Sequence, residues 1–176
     1  MIEWQKDAGG ICVREAAICG MPPCGGWLQK NEKERIMGKR RILVAIDGSR
    51  YSGKVLAKAI EYAELLKAEV VFVHCHRKYP RLLGQPYRDQ MISSIKDETL
   101  ELISPYLDDL QRAEIPYVER LLEGPAGAVI AETAESEKCE LIVMGSRGLS
   151  NLQGLIIGSV THRVLHTASC PVMVVK

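Results

Sequence analysis

Short apolar runs, set between longer segments of helical period, constrain this chain more than any other feature. Ile42-Leu43-Val44-Ala45-Ile46 holds no polar residue. Such a run suits a central parallel strand covered on both faces rather than a strand with one wet face. Behind it, Val55, Leu56, Ala59, Ile60, Ala63 and Leu66 recur at spacings of three and four, the mark of a helix with one apolar side. Ser49 stands where a helix N-cap is expected. Val70 to Cys75 is a second strand, and His76 to Gln90, with Pro80, Gly84 and Pro86, reads as a long loop. Ile92, Ile95, Thr99, Leu102, Tyr106 and Leu110 predict a helix from about Gln90, kinked at Pro105 because proline removes a backbone donor. Ile115–Leu122 is a third strand. Ala126, Val129, Ile130 and Thr133 mark a third helix after Gly124-Pro125. Leu141–Met144, a helix over Gly158–Thr167 and Pro171–Val175 complete the pattern.

Strands alternating with helices predict a single doubly wound, mostly parallel five-stranded α/β sheet of flavodoxin- or Rossmann-like type with right-handed crossovers. Ligands in such sheets lie beyond the carboxyl ends of the strands, where the strand order reverses. Asp47 follows the first strand and Gly145 the fourth. A flavodoxin-like order is expected to make these two strands neighbours, so that both loops meet over one crevice.

At that crevice the sequence is Gly145-Ser146-Arg147-Gly148, then nine residues, then Gly158-Ser159. Glycine permits close backbone approach to a ligand and positive φ. A helix starting near Gly158 adds unpaired N–H groups and the positive end of its dipole. The combination suits a phosphate, so nucleotide binding is the leading expectation.

The totals exclude several other classes. The 176 residues carry 23 basic and 22 acidic side chains, for a net charge of +1. That balance argues against nucleic acid as the main partner. No apolar run approaches the roughly 20 residues of a membrane span, and the N-terminus lacks the apolar stretch of a signal peptide, so a cytoplasmic protein without a membrane partner is expected. The six cysteines form no Cys-x-x-Cys pair, which leaves zinc ribbons and thioredoxin-type motifs unsupported. Residues 1–37 show no clear period and hold three of the cysteines, both tryptophans and the cluster Gly20 to Gly26. They are expected to be a disordered extension or a start assigned too early, with Met37 as the first residue. An appended redox, metal or docking element is the functional alternative, and a structured extension that only packs is the third. Residues 38–176 form the expected domain.

From about Arg41 to Lys176 the chain resembles the universal stress protein family. The resemblance rests on Ile42-Leu43-Val44-Ala45-Ile46-Asp47-Gly48-Ser49, on Gly124-Pro125-Ala126, and on Met144-Gly145-Ser146-Arg147-Gly148 with Gly158-Ser159-Val160-Thr161 and Cys170-Pro171-Val172-Met173-Val174-Val175. The last set looks like the pattern of the ATP-binding subclass. The resemblance implies an adenine nucleotide alpha hydrolase-like fold and ATP as ligand, with Mg2+ or Mn2+ beside the phosphates. Asp47 would lie against ribose or cation, with Ala45 and Ile46 on the adenine side. Cys75 stands where family members often have valine. Met144, Gly145, Ser146, Arg147 and Gly148 would form the phosphate loop, with Arg147 as a counter-charge. Gly158, Ser159, Val160 and Thr161 would supply N–H and hydroxyl donors. The family also implies a homodimer through Val172–Val175. The segment Ser146–Ile157, with Leu149, Leu152, Leu155, Ile156 and Ile157, would report ligand state to an unidentified protein partner.

No nucleophile, base and orienting group can be assembled, so no catalytic residue is assigned. Gly38-Lys39 and Gly53-Lys54 are not followed by Ser or Thr, so there is no P-loop lysine motif. At most slow ATP hydrolysis is expected. A weak hydrolase, or a stress module that binds AMP or another adenine nucleotide and acts mainly on a protein partner, are the alternatives to an ATP-responsive regulator. His74 and His76 share a strand face without a visible third metal ligand. His162 and His166 share a helix face but lack the glutamate of a metalloprotease motif. Both pairs are read as surface or packing histidines.

Overall fold

The computed structural model describes residues 5–6, 12–14, 40–76, 84–149 and 157–176. Its strands are β1 (Gln5–Lys6), β2 (Cys12–Arg14), β3 (Arg41–Ala45), β4 (Glu69–His76), β5 (Tyr117–Glu123), β6 (Leu141–Gly145) and β7 (Val172–Val175). They form one sheet in the order β1-β2-β5-β4-β3-β6-β7. The strands β3 to β7 are the expected five, and all pair in parallel. The two further strands were not expected. β2 pairs antiparallel with the outer side of β5, and β1 with β2. The other residues of the segment 1–37 lie outside the described ones, so the expectation made for that segment falls mainly there.

Numbered from β3, the five parallel strands run 3-2-1-4-5, the Rossmann order. A flavodoxin order would place the first strand beside the third. The adjacency expected for the strands at Ile42 and Leu141 is present, with Leu43 opposite Ile142 and Ala45 opposite Met144, but the flavodoxin order from which it was expected is not the one realised. The order reverses between β3 and β6, which fixes where a crevice opens.

Among the described residues four helices cover the sheet: α1 (Ser52–Leu66), α2 (Tyr87–Arg112), α3 (Ala126–Ser136) and α4 (Ser159–Thr167). Alternate residues of each central strand enter separate cores. Ile42, Val44, Val70 and Phe72 pack with Val55 and Leu56 of α1 and Ile103 and Leu110 of α2. Leu43, Val71, Val73 and Ile142 pack with Ile130 and Ala134 of α3 and Val164 of α4. Both faces are dry, which is why β3 and the apolar body of β4 show no polar alternation. Each such fully buried aliphatic side chain contributes about 1.5–3 kcal/mol.

Helix α2 starts at Tyr87, inside the expected loop, and continues past Pro105 to Arg112. Its buried residues are Thr99, Ile103, Leu107 and Leu110, whereas Ile92 and Ile95 are half-exposed. The reason is length. Twenty-six helical residues span about 39 Å, against about 26 Å for the eight residues of β4. The first turns of α2 therefore overhang the sheet.

Charged groups gather at the opposite end of the α3 face. Glu137, just past α3, accepts from Arg120 at 2.6–2.8 Å and also pairs with Arg41, whose Nε reaches Glu69 at 3.0 Å. All four side chains are largely buried, from 9% exposure at Glu69 to 31% at Arg41. Glu137 thus ties the end of α3 to the sheet by two arginines.

Candidate functional site

The carboxyl ends of β3, β4 and β6 open into a cavity of about 320 Å3 at the reversal of strand order. Its floor is apolar: Ala45, Val73, Cys75 and Met144 from the strands and Ile130 from α3. Its rim carries Asp47, Arg147, Gly148 and the first turn of α4. Of the residues singled out in the sequence, Ala45, Ile46, Asp47, Cys75, Met144, Gly145, Arg147, Gly148, Gly158, Ser159, Val160 and Thr161 line this one cavity. Ser146 does not line it.

Ile46 fixes the end of β3. Its N–H donates to the Val73 carbonyl at 3.0 Å, and its carbonyl accepts from Nδ1 of His74 at 2.8 Å. Since a carbonyl only accepts, Nδ1 carries a proton. His74 is buried, and burial holds its pKa below the ordinary value of 6.5 despite that hydrogen bond. The imidazole acts as a neutral cross-link between β3 and β4.

Asp47 organises the start of α1. Its Oδ1 accepts the N–H of Ser49 at 2.9 Å and the hydroxyl of Ser52 at 3.2 Å. Ser49 is therefore not the N-cap. Tyr51 holds that position without a side-chain cap, and the Ser49 carbonyl accepts from the Ser52 N–H. The carboxylate two residues earlier takes the N–H of Ser49 in an Asx turn. This leaves Oδ2 of Asp47 facing Gly148. A Cβ added at Gly148 would stand 2.5 Å from that oxygen.

The loop after β6 is pinned from three directions. Ser146 is 3% exposed, its N–H donates to Val175 at 2.8 Å, and its carbonyl accepts from Gly158 at 2.8 Å. Thr161 donates its hydroxyl to the Gly145 carbonyl at 2.8 Å. That proton is committed, so Thr161 offers a ligand its N–H rather than the hydroxyl donor expected of it. The glycines serve close approach rather than positive φ. Only Gly48 and Gly124 among the described glycines have positive φ, at 78° and 137°. A Cβ at Gly145 would lie 3.0 Å from the Arg147 carbonyl, whereas one at Gly158 would find nothing nearer than 3.4 Å. Gly158 caps α4 in an extended conformation, and the helix begins at Ser159. The N–H groups of Ser159, Val160 and Thr161, in its first turn, lack the carbonyl four residues back.

The sequence did not reveal Ser49, Ser52, Val55, Val73, Ala126, Ile130 and Leu149 as lining residues. Val73 was accessible, because it precedes Cys75 by two and so shares its face. Residues 150–156, within the segment expected to report ligand state, lie outside the described ones.

Burial pushes the Cys75 thiol up to about 11 and that of Cys139 up to about 12. Both are protonated at neutral pH, and Cys75 offers the cavity a small apolar wall. Among the described residues there is no cluster of three or more His, Cys, Asp or Glu able to hold a metal ion. No described helix is long and apolar enough to cross a membrane.

This architecture is shared with known proteins. The profile of the Universal stress protein family matches residues 39–176. A universal stress protein of Methanocaldococcus jannaschii is 33% identical over 140 residues, covering 78% of this chain and 82% of the relative. One of Thermus aquaticus is 30% identical over 144 residues, covering 78% and 98%. The chain belongs to the universal stress protein family. Two solved structures with the same fold are complexes. The Archaeoglobus fulgidus universal stress protein with dAMP is 22% identical with a TM-score of 0.56, over 78% of this chain and 98% of that one. A universal stress protein with cAMP is 21% identical, also with a TM-score of 0.56, over 77% and 95%.

Proposed function

We propose that this chain is a cytoplasmic regulatory module that binds an adenine nucleotide, ATP in the first place, and acts as a homodimer. One observation carries the reading: an apolar slot and a glycine loop converge on the first turn of α4 at the reversal of strand order. A base needs the first, and phosphates need the other two. The volume lies at the lower end of the usual range for ligand sites, enough for a nucleoside, with phosphates running along the rim. The dAMP and cAMP complexes of family members support an adenine ligand.

The residues present fit that ligand. Ala45, Val73, Cys75 and Ile130 would sandwich the base without polar competition. Asp47 has one carboxylate oxygen left for a ribose hydroxyl or for Mg2+ or Mn2+. Backbone N–H groups from Ser159 onward, with Arg147, would meet the phosphates. Dimer formation would use β7, whose outer side is an apolar sheet edge.

Calorimetric titration with ATP and Mg2+, repeated with AMP, tests the nucleotide reading, and light scattering tests the dimer. Saturable heat that disappears in Asp47→Ala is the expected result. Absence of heat with both nucleotides would overturn the reading.

A further inference from the structure

His162 and His166 lie outside the cavity lining. They stand one turn apart on α4, with ring centroids 4.5 Å apart and planes inclined at 56°. Both are exposed. Among the described residues neither imidazole has a hydrogen-bonded or ionic partner. The backbone beneath them is fixed. Val164 is fully buried, Thr161 is tied to Gly145, and the stem of Arg163 lies over Gly127, where an added Cβ would stand 2.7 Å from Arg163 Cβ. The stem of this neighbouring residue is thus packed against α3.

We propose that His162 and His166 form a bidentate site for a borderline divalent transition-metal ion such as Zn2+, Ni2+ or Cu2+, with water completing the coordination. Two imidazoles at i and i+4 on a folded helix share a face. Their lone pairs suit these ions and not Mg2+ or Ca2+, which take oxygen ligands. Because the helix is already ordered, binding costs little beyond two side-chain rotations each. With only two protein donors the site is open and weaker than a four-ligand structural zinc site. The residues between the histidines are Arg163, Val164 and Leu165, so the intervening turn supplies no carboxylate base of the metalloprotease kind, and the proposal is for a binding rather than a hydrolytic site. The ion would clamp the helix whose first turn lines the cavity.

The test is calorimetric titration of the untagged full chain with Ni2+, beside His162→Gln and His166→Gln. Glutamine is a good helix former, and circular dichroism confirms that the fold is retained. The expected result is one Ni2+ per wild-type chain, bound more tightly than Co2+ and undisturbed by excess Mg2+, with affinity reduced roughly tenfold or more in either variant. Absence of Ni2+ binding by the wild type would overturn the proposal. So would equal binding by both variants, which would place the ion on other residues.

Discussion

Replacing Gly148 by alanine tests the central geometry of the site. The added Cβ would stand 2.5 Å from Oδ2 of Asp47, where non-bonded atoms prefer about 3.5 Å or more. The carboxylate must swing away by about 1 Å. In doing so it gives up the 2.9 Å bond from the Ser49 N–H and the 3.2 Å bond from the Ser52 hydroxyl. Each contributes about 0.5–1.5 kcal/mol, so Gly148→Ala should destabilise the ligand-free protein by about 1–3 kcal/mol. For a chain of this size that lowers Tm by roughly 2–12 °C. Gly158→Ala is the control. Its Cβ meets ordinary contacts from 3.4 Å outward and its φ is −72°, so its cost should be only that of replacing glycine by alanine at an N-cap, about 0.5–1 kcal/mol. Urea denaturation of both variants, and of Gly148→Ala in an Asp47→Ala background, completes the cycle. In that background the penalty should vanish. A full penalty without Asp47 would refute the reasoning, because it would mean that Gly148 is required by the loop itself.

Three further expectations follow from the same structure. Glu137→Ala leaves Arg41 and Arg120 without their shared carboxylate; as the network is partly exposed, the cost should be about 2–3 kcal/mol, with ATP affinity unchanged, as read by denaturation and calorimetry. His74 has a folded pKa below its unfolded one, so its contribution is complete above about pH 6.5 and is lost as pH falls through the lowered value; the urea midpoint should drop between pH 7.5 and 5.5, and less so in His74→Gln. Cys75 and Cys139, with thiols pushed up to about 11 and about 12, should resist iodoacetamide at pH 7.5 in the native protein and react in urea; rapid native labelling of Cys75 by peptide mass spectrometry would contradict the burial assigned to it.

How much of this was legible in the sequence depended on how locally each feature is encoded. The central strands β3, β4 and β6 were visible because burial on both faces forces apolar runs such as Ile42–Ile46. The loop at Gly145 and Gly148 was visible because glycine is demanded there by neighbouring atoms. Conversely, β1 and β2 were invisible. Two and three residues carry no period, and their pairing is made by backbone groups meeting the edge of β5. The face of α2 was misread at Ile92 and Ile95 because helical period alone does not reveal where a helix outruns its sheet. Ser49 was misread because a cap preference cannot show that the preceding carboxylate competes for the same backbone. Val55, Ala126 and Ile130 joined the site only through the packing of α1 and α3 across β3 and β4, a relation set by distant residues.

The two sides of the sheet end differently. Beyond β5 the backbone positions at Glu119, Arg120 and Leu121 are already paired with Arg14, Val13 and Cys12, and that side ends in β1, while among the described residues β7 has no strand on its outer side. A two-residue edge strand such as β1 is a poor template for further pairing, so a block whose longer open rim is β7 joins one like block through that rim and is then saturated, because the two-fold arrangement uses the same rim in both. With a bare β5 as well, the rim at β7 of one copy would suit the opposite rim of the next, and a head-to-tail ribbon would have no natural stopping point. A few residues far from the cavity thus bear on whether assembly is finite.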